Sequence, residues 1–483
     1  MMNGESIELK QDKINLKLYK QIPLKWLKEH CILPFDEDDE TVFVAFGRAY
    51  EDAIFDKAQQ FFKHKPLKSF KAKESQILGI LNELELKDKI ENLISELKFE
   101  LKNSQNSNEK TAVSKLFELI IEVGIEKRAS DIHIEPNDKD AMIRFRVDGV
   151  LLVFLVLELE IYQALIFYIK LLAHLNVAEQ RKAQDGSFSL MMSALKYDFR
   201  VSTLPLLYGE SLVLRILEHK QDFLNLDKLE LDESILSKFK KQIHAPYGLI
   251  LLTGPTGSGK STTLYSALNE IKSTQKKIIT AEDPIEYRLP LVQQIILNEK
   301  AGLDFNNALR TILRQDPDII VIGEIRDEES LDIALKASLT GHLVFSTLHT
   351  NDAISAITRM LDMKAKDYLI ASALSLVIAQ RLVRKLCEHC KRKSAKHYNE
   401  FEGDFYEAVG CELCKMNGYF GREMVSEFLF IDEEIAELIR TNAKTSEILS
   451  YARKKGFKTM FEVGLQRARE GKTSIDELLR VIK

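Results

Sequence analysis

The sequence lacks the features that would make a chain fibrous, disulfide-stapled or membrane-embedded. Its 483 residues include 21 glycines and 10 prolines, too few for a collagen-like or wholly disordered protein. Long apolar runs are missing. The most apolar stretch is Val150 to Leu157, closed by Glu158, and the next is interrupted by Lys170 and His174. A bilayer-spanning helix needs about 20 such residues. The opening MMNGESIELKQDK is polar and of mixed charge, without the apolar region of a signal peptide. The expectation is residence in the cytoplasm, with membrane association only through partners. Charge of one sign is not in excess either: 68 Lys and Arg stand against 73 Asp and Glu, a net −5. Duplex affinity comes mainly from neutralising phosphates, so a generally polybasic nucleic-acid binder is excluded, and no basic-aromatic stripe suits single strands. No direct nucleic-acid contact is expected. The 45% hydrophobic content is ample for cores, and at roughly 150 residues per domain the length suggests about three domains.

Cysteine is scarce, at five residues, but four of the five are patterned. Cys387, Cys390, Cys411 and Cys414 form two CxxC pairs separated by twenty residues. Thiolates two apart on a tight knuckle share a metal, and two knuckles complete a tetrahedron, so this spacing reads as a structural zinc site. Disulfides are disfavoured in a cytosolic chain. With four sulfur ligands no open catalytic position is implied. Cys31 stands alone and reads as a small buried hydrophobe.

Three pieces follow one another along the chain. Residues 1–104 alternate amphipathic helical stretches, such as Glu51 to Lys63, with short apolar strands, such as Thr41 to Phe46. The polar run KNSQNSNE, Lys102 to Glu109, reads as a linker. Residues 105–225 begin with a helix, Val113 to Lys127, and continue through Asp131 to Glu135 and an alternating strand, Met142 to Val147. A long helix, Ile161 to Glu179, precedes two strands near Tyr197–Ser202 and Ser211–Leu217, which suggests an α+β piece. Residues 226–483 carry short, fully apolar strands at Gly248–Thr253, Lys277–Ala281, Ile319–Ile322 and Leu343–Ser346, alternating with helices. Such runs suit an α/β domain whose parallel sheet is buried on both faces.

Within the third piece, GPTGSGKST satisfies G-x4-G-K-[ST] directly after an apolar strand and before a helix. Glycines let the backbone wrap a phosphate, and the loop N–H groups with the helix N-terminus supply a positive field. Gly254, Pro255, Thr256, Gly257, Ser258, Gly259, Lys260, Ser261 and Thr262 are therefore the candidate nucleotide-binding residues. Lys260 is placed to reach the β- and γ-phosphates of ATP, and the Ser261 hydroxyl to ligate Mg²⁺. Three polar clusters follow at strand ends: Glu282-Asp283-Pro284-Ile285-Glu286, Gly323-Glu324-Ile325-Arg326-Asp327, and the segment from His342 to His349. In a parallel sheet the carboxyl ends line one edge, where ligands bind. Hydrolysis needs a carboxylate to orient water and a donor to sense the γ-phosphate, and Glu282, Glu324 and His349 are the candidates.

These motifs identify the chain as similar to the secretion ATPases of type II secretion and type IV pilus assembly (GspE/PilB type). The resemblance rests on GPTGSGKSTTLY, ITAEDPIEY, LRQDPDIIVIGEIRD, TGHLVFSTLHTNDA, RLVRKLCEHC and GCELCKMNGYFGR. Upstream, ASDIHIEP, IRFRVDGVL and RVSTLPLLYGE extend it, so that it covers roughly two-thirds of the chain, from Ser114 to Gly421. It implies a RecA-like P-loop ATPase core, a PAS-like middle domain, a small N-terminal partner-docking module and a homo-hexameric ring, with nucleotide between the middle domain and the core. Under it Glu324 acts with Mg²⁺ and the attacking water, with Glu282 the competing general base. His349, with His342 as a second candidate, senses the γ-phosphate, and the middle domain contributes Arg200 and Arg215 to the nucleotide. Arg144 and Arg146 read as ordinary ion pairs. The implied cofactors are ATP, Mg²⁺ and Zn²⁺. The implied partners are an inner-membrane platform protein and a cytoplasmic docking domain of a machine that secretes protein, builds pili or takes up DNA. A retraction motor and a nucleic-acid translocating RecA-like ATPase are the alternatives. Two local departures stand out, Ala183-Gln184-Asp185-Gly186-Ser187 for a Pro-Gln-Asp-Gly-Arg loop and GREMVSE for GRTGIHE.

Overall fold

The computed structural model describes residues 6–7, 9, 14–49, 52–103, 111–192, 194–218, 224–297, 302–396, 398, 401–411 and 413–482. They fall into two compact units, Met1–Leu217 and Glu218–Lys483. Among the described residues no helix is long and apolar enough to cross a membrane.

The first unit holds two separate cores. In chain order its elements begin with α1 (Leu16–Tyr19), α2 (Leu24–His30), β1 (Ile32–Glu37), β2 (Val42–Phe46), α3 (Asp52–Phe61), β3 (Leu67–Lys71) and α4 (Glu74–Asn103). Strands β1 and β2 pair antiparallel and β2 and β3 parallel, around a core that includes Leu27, Ile32, Val44, Ile77 and Leu81. Cys31 is buried in it, as its isolation suggested. Lys102 and Asn103 close α4, and the rest of the expected linker, 104–109, lies outside the described residues.

The second core belongs to α5 (Ala112–Glu126), β4 (Ala129–Pro136), β5 (Asp140–Val147), β6 (Val150–Glu158), α6 (Leu159–Leu172), β7 (Gln184–Met192), β8 (Leu195–Leu206) and β9 (Gly209–Glu218). The six strands form one sheet in the order β6-β5-β4-β9-β8-β7. Every second residue of β5 is buried, and Phe117, Ile132, Phe145 and Phe199 fill the space under α5 and α6. One expectation fails here. The helix predicted from Ile161 to Glu179 stops at Leu172, and His174 adopts a left-handed φ of 57°. The cause is Lys170, which is 1% exposed and must find partners. Its ammonium donates to both oxygens of buried Glu210 at 2.9 Å and to the Glu179 carbonyl at 2.7 Å, and the latter contact requires the chain to turn back.

The second unit runs α7 (Glu233–Ile243), β10 (Gly248–Thr253), α8 (Lys260–Ile271), β11 (Ile278–Glu282), β12 (Val292–Ile296), α9 (Phe305–Ile312), β13 (Ile319–Ile322), α10 (Glu328–Leu339), β14 (Leu343–Leu348), α11 (Ala353–Asp362), α12 (Asp367–Ala373) and β15 (Leu374–Leu386). It ends with β16 (Arg392–Lys393), β17 (Tyr406–Glu407), β18 (Tyr419–Phe430), α13 (Glu433–Arg440), α14 (Thr445–Lys454), α15 (Met460–Arg469) and α16 (Ile475–Val481). Seven strands form the central sheet, β12-β11-β13-β14-β10-β15-β18. All its pairs are parallel except β15 with β18. The apolar runs are buried on both faces, with Leu249, Leu251 and Ile320 in one layer and Ile250, Leu252 and Val321 in the other. Helices leave the sheet at aspartates. Asp304, Asp327 and Asp352 each accept the third backbone N–H of α9, α10 and α11, which ends the strand-to-helix turn where the chain needs it.

Ile320→Ala removes a side chain 1% exposed in the middle of this sheet. It is expected to cost about 2–5 kcal/mol, read as a lower thermal midpoint; an unchanged midpoint would contradict this packing.

Candidate active site

The loop after β10 is built to hold an anion. Gly254 has a φ of 144°, and a Cβ there would lie 2.5 Å from the Gln380 carbonyl oxygen and 2.7 Å from Ser258 Oγ. Glycine is therefore required by both conformation and space. Gly259, with a φ of 90°, turns the chain into α8 at Lys260. From below, Gln380 Nε2 donates to the Ser258 carbonyl at 2.9 Å. The Ser258 hydroxyl is buried without a hydrogen-bond partner among the described residues. Among the described residues Lys260 Nζ makes no ion pair; it donates to the carbonyls of Gly254 at 2.7 Å and Pro255 at 3.1 Å. Burial, and then the Arg381 charge, lower its ammonium to about 8. A stranded cation and a glycine-lined helix N-terminus are the features a polyphosphate satisfies.

This loop is one wall of a cleft of about 350 Å³. Its other walls bring together residues that the sequence scatters. Glu282 ends β11, Glu324 follows β13 and His349 follows β14, and these strands lie side by side as β11-β13-β14 with β14 next to β10. The two glutamates differ sharply. Glu282 is buried and both its oxygens are engaged: Tyr265 O–H donates to Oε2, while Thr280 Oγ1 at 2.6 Å and Gln294 Nε2 at 3.2 Å donate to Oε1. Burial, then the Glu282 charge, pushes the Tyr265 phenol far above its ordinary range, so it stays a donor. Glu324 is a quarter exposed, and its partners are Arg326 and His349 Nε2, the latter at 3.4 Å. Burial, then the charges of Lys260 and Arg326, push His349 below the usual histidine value, so it is neutral near pH 7. Ser261, Asp283 and Glu324 offer oxygen donors on the cleft wall, the ligand type Mg²⁺ prefers.

Some expectations change. His342 precedes β14, whereas His349 follows it, so about 20 Å of strand separates them. His342 Nδ1 instead meets the Ala337 carbonyl at 2.9 Å at the end of α10, which removes it as a γ-phosphate sensor. Arg200 and Arg215 belong to the first unit, on β8 and β9. Arg215 Nε donates to Asp131 at 2.9 Å and its guanidinium is more than half exposed. Arg144 and Arg146 pair with Glu135 and Asp131, as ordinary ion pairs. Tyr265, Thr280, Gln294, Phe305 and Arg422 shape the site without having been singled out from the sequence, although several lie inside the quoted motifs.

Comparison with known proteins identifies the family. A family profile described as Type II/IV secretion system protein matches residues 106–480, and a second, the MshEN domain, matches residues 4–91. The chain is 44% identical over 380 residues to the type II secretion system protein E of Xanthomonas campestris pv. campestris, covering 76% of this chain and 67% of that one. It is 43% identical over 382 residues to the type IV pilus assembly ATPase PilB of Thermus thermophilus, covering 77% of this chain but 43% of the relative's length.

The chain belongs to the type II/IV secretion system protein family.

As a secretion-family ATPase it uses nucleotide and Mg²⁺. A solved structure of the pilus retraction motor PilT with ADP matches with a TM-score of 0.53 at 30% identity, covering 75% of this chain and 96% of that one. The Legionella pneumophila ATPase DotB matches in fold, with a TM-score of 0.58 at 23% identity over 78% of this chain and 97% of that one. The phosphate loop lies in the second unit.

Outside the cleft, the four patterned cysteines gather as their spacing predicted. All four Sγ atoms lie within 4.8 Å of one another. Neighbouring sulfurs are 3.7 Å apart for Cys387–Cys411 and Cys411–Cys414, and 3.8 Å for Cys390–Cys414. A tetrahedron with metal–sulfur bonds of about 2.3 Å has edges of about 3.8 Å. Backbone N–H groups of Gly410, Cys411 and Gly418 point at these sulfurs. The donor set and its size fit a tetrahedral thiophilic ion.

The lowered Lys260 makes a pH prediction. A polyphosphate binds the ammonium form and raises its value again, so affinity is fully present below about pH 8 and falls as pH rises through it. Calorimetric ADP titrations on either side of pH 8 should show weakening above it and proton uptake on binding. Equal affinity at both would contradict the assignment.

Proposed function

We propose that the chain is a hexameric, Mg²⁺-dependent ATPase of the assembly type. In this reading ATP hydrolysis drives a membrane-bound machine that builds pilin or pseudopilin fibres for secretion, piliation or DNA uptake. The observation that carries the reading is the convergence of Lys260, Glu324 and His349 on one cleft. Assembly is preferred to retraction because the matched secretion and PilB relatives are 43–44% identical, against 30% for the retraction motor. The MshEN match at residues 4–91 supports a separate docking module. Three functional pieces are proposed, 1–104, 105–225 and 226–483; the two cores of the first unit support the first division. The chain works from the cytoplasmic side, reaching the membrane through a platform protein and a docking domain.

The chain's residues then have distinct roles. Lys260 releases the Gly254 and Pro255 carbonyls and takes the β- and γ-phosphates. Ser261 would hold Mg²⁺, which would supply positive charge to the phosphate oxygens. Glu324 orients the attacking water, because it is a quarter exposed on the cleft wall beside His349, whereas Glu282 is buried with both oxygens engaged. Glu282 instead holds Tyr265 and Gln294 as a rigid wall. Neutral His349 reads the γ-phosphate by hydrogen bonding and reports it to Glu324. Arg200 and Arg215 serve as charges from the middle piece, coupling closure to transition-state stabilisation. Arg215 is suited to this by its exposed guanidinium. Cys387, Cys390, Cys411 and Cys414 hold a structural zinc ion.

Glu324→Gln is expected to keep ATP binding and lower kcat by about 10²- to 10⁴-fold, with Glu282→Gln retaining more turnover. Phosphate release alongside nucleotide binding measures both; near-normal turnover of Glu324→Gln, or a deeper loss in Glu282→Gln, would reverse the assignment. For the cysteines, elemental analysis should find one zinc per chain and its loss in Cys411→Ser. A metal-free wild-type protein would sink the zinc proposal.

A further inference from the structure

Glu427 takes no part in the cleft, yet it is among the most tightly held carboxylates of the second unit. It sits on β18 opposite Ala379 of β15, 4% exposed. Its Oε1 accepts the Ala353 backbone N–H at 2.6 Å, and its Oε2 the Met460 N–H at 2.7 Å. These two amides open α11 and α15, where N–H groups lack a helical partner and the dipole favours an anion. One buried carboxylate therefore fastens two helices that are far apart in sequence. Burial pushes its carboxyl above the ordinary range, and the two amides pull it back.

The Ala353 side of this joint leads to the cleft. Between His349 and Ala353 every residue is tied. The Thr350 amide donates to Thr253 Oγ1 at 2.9 Å, Asn351 Oδ1 accepts from Arg381 Nη2 at 3.2 Å, and the Asp352 side chain accepts the Ser355 amide at 2.7 Å. Thr253 is the residue before Gly254, and Gln380, next to Arg381, holds the Ser258 carbonyl. The segment 350–353 is thus pinned to the base of the phosphate loop, and Glu427 is its last pin. The Met460 side leads away, into the C-terminal helices.

We propose that Glu427 is a positioning residue for hydrolysis. It sets the 350–353 segment, and with it His349, against the phosphate loop, and it makes that placement depend on how α15 is seated. The inference rests on the γ-phosphate role given to His349 above.

Glu427→Gln keeps the size of the side chain but leaves one acceptor oxygen for two donors. The expected result is a kcat lower by about tenfold, with KM for ATP within about twofold because the phosphate loop is untouched. In a His349→Ala background the same change should lower kcat no further. A second pair of variants reads the joint from its far side, and decides the matter if Glu427→Gln does not fold. Proline is accepted at the first position of a helix, and Thr459, at φ −65° and ψ 157°, already has the conformation that precedes it. Met460→Pro deletes the donor, whereas Met460→Ala loses the same side chain and keeps it; the proline variant should have the lower kcat. Unchanged turnover in His349→Ala alone would overturn the role of His349 and this inference together. A loss in His349→Ala that Glu427→Gln multiplies, or equal turnover in the two Met460 variants, would overturn the role of Glu427 and leave that of His349 standing.

Discussion

The second unit depends on the parallel register of β11, β13, β14 and β10. Ile278 pairs with Ile319, Ile319 with Leu343, and Leu343 with Gly248, so the four strands start level. Since all run the same way, whatever follows each strand emerges on one edge of the sheet. Burial of both faces holds that register, because a one-residue slip would exchange the two apolar layers and leave each packed against the wrong helices. The phosphate loop, Glu324 and His349 need no other arrangement to meet; each begins where its strand stops.

Around that edge the charges are arranged to be incomplete. Lys260 rests on two carbonyls, Ser258 keeps a buried hydroxyl without a partner among the described residues, and Arg381 lies beside the loop with amide and carbonyl partners. Buried polar groups left in this state are costly. An anionic ligand relieves that cost, and binding energy of this kind is available to drive conformational change. Glu282 is the counterexample. Its full set of donors makes it part of the wall, and the contrast with Glu324 separates a structural from a reactive carboxylate although both end a strand.

A good part of this was legible beforehand. The GPTGSGKST loop, the strand ends bearing Glu282 and Glu324, and the paired CxxC knuckles all depend on spacing within a few residues, where local sterics dominate. Other features were hidden. The helix expected through Glu179 has helical periodicity, but buried Lys170 also takes the Glu179 carbonyl, a contact that needs the chain to turn back after Leu172. His342 and His349 look equivalent in TGHLVFSTLHT, yet they flank opposite ends of β14. The donors on Glu282 come from α8, from its own strand and from β12, and no spacing rule links those positions.

The sequence by itself determined the phosphate loop, the apolar strands, the cysteine knuckles and the acidic character of the strand ends, because each is set by backbone sterics or periodicity over a handful of residues. Only the tertiary structure decided which glutamate is buried among donors and which is partly exposed, which histidine faces the cleft, and that Glu427 joins two helix N-termini. Those outcomes follow from strand order, and strand order is settled by burying two apolar layers across the whole sheet at once.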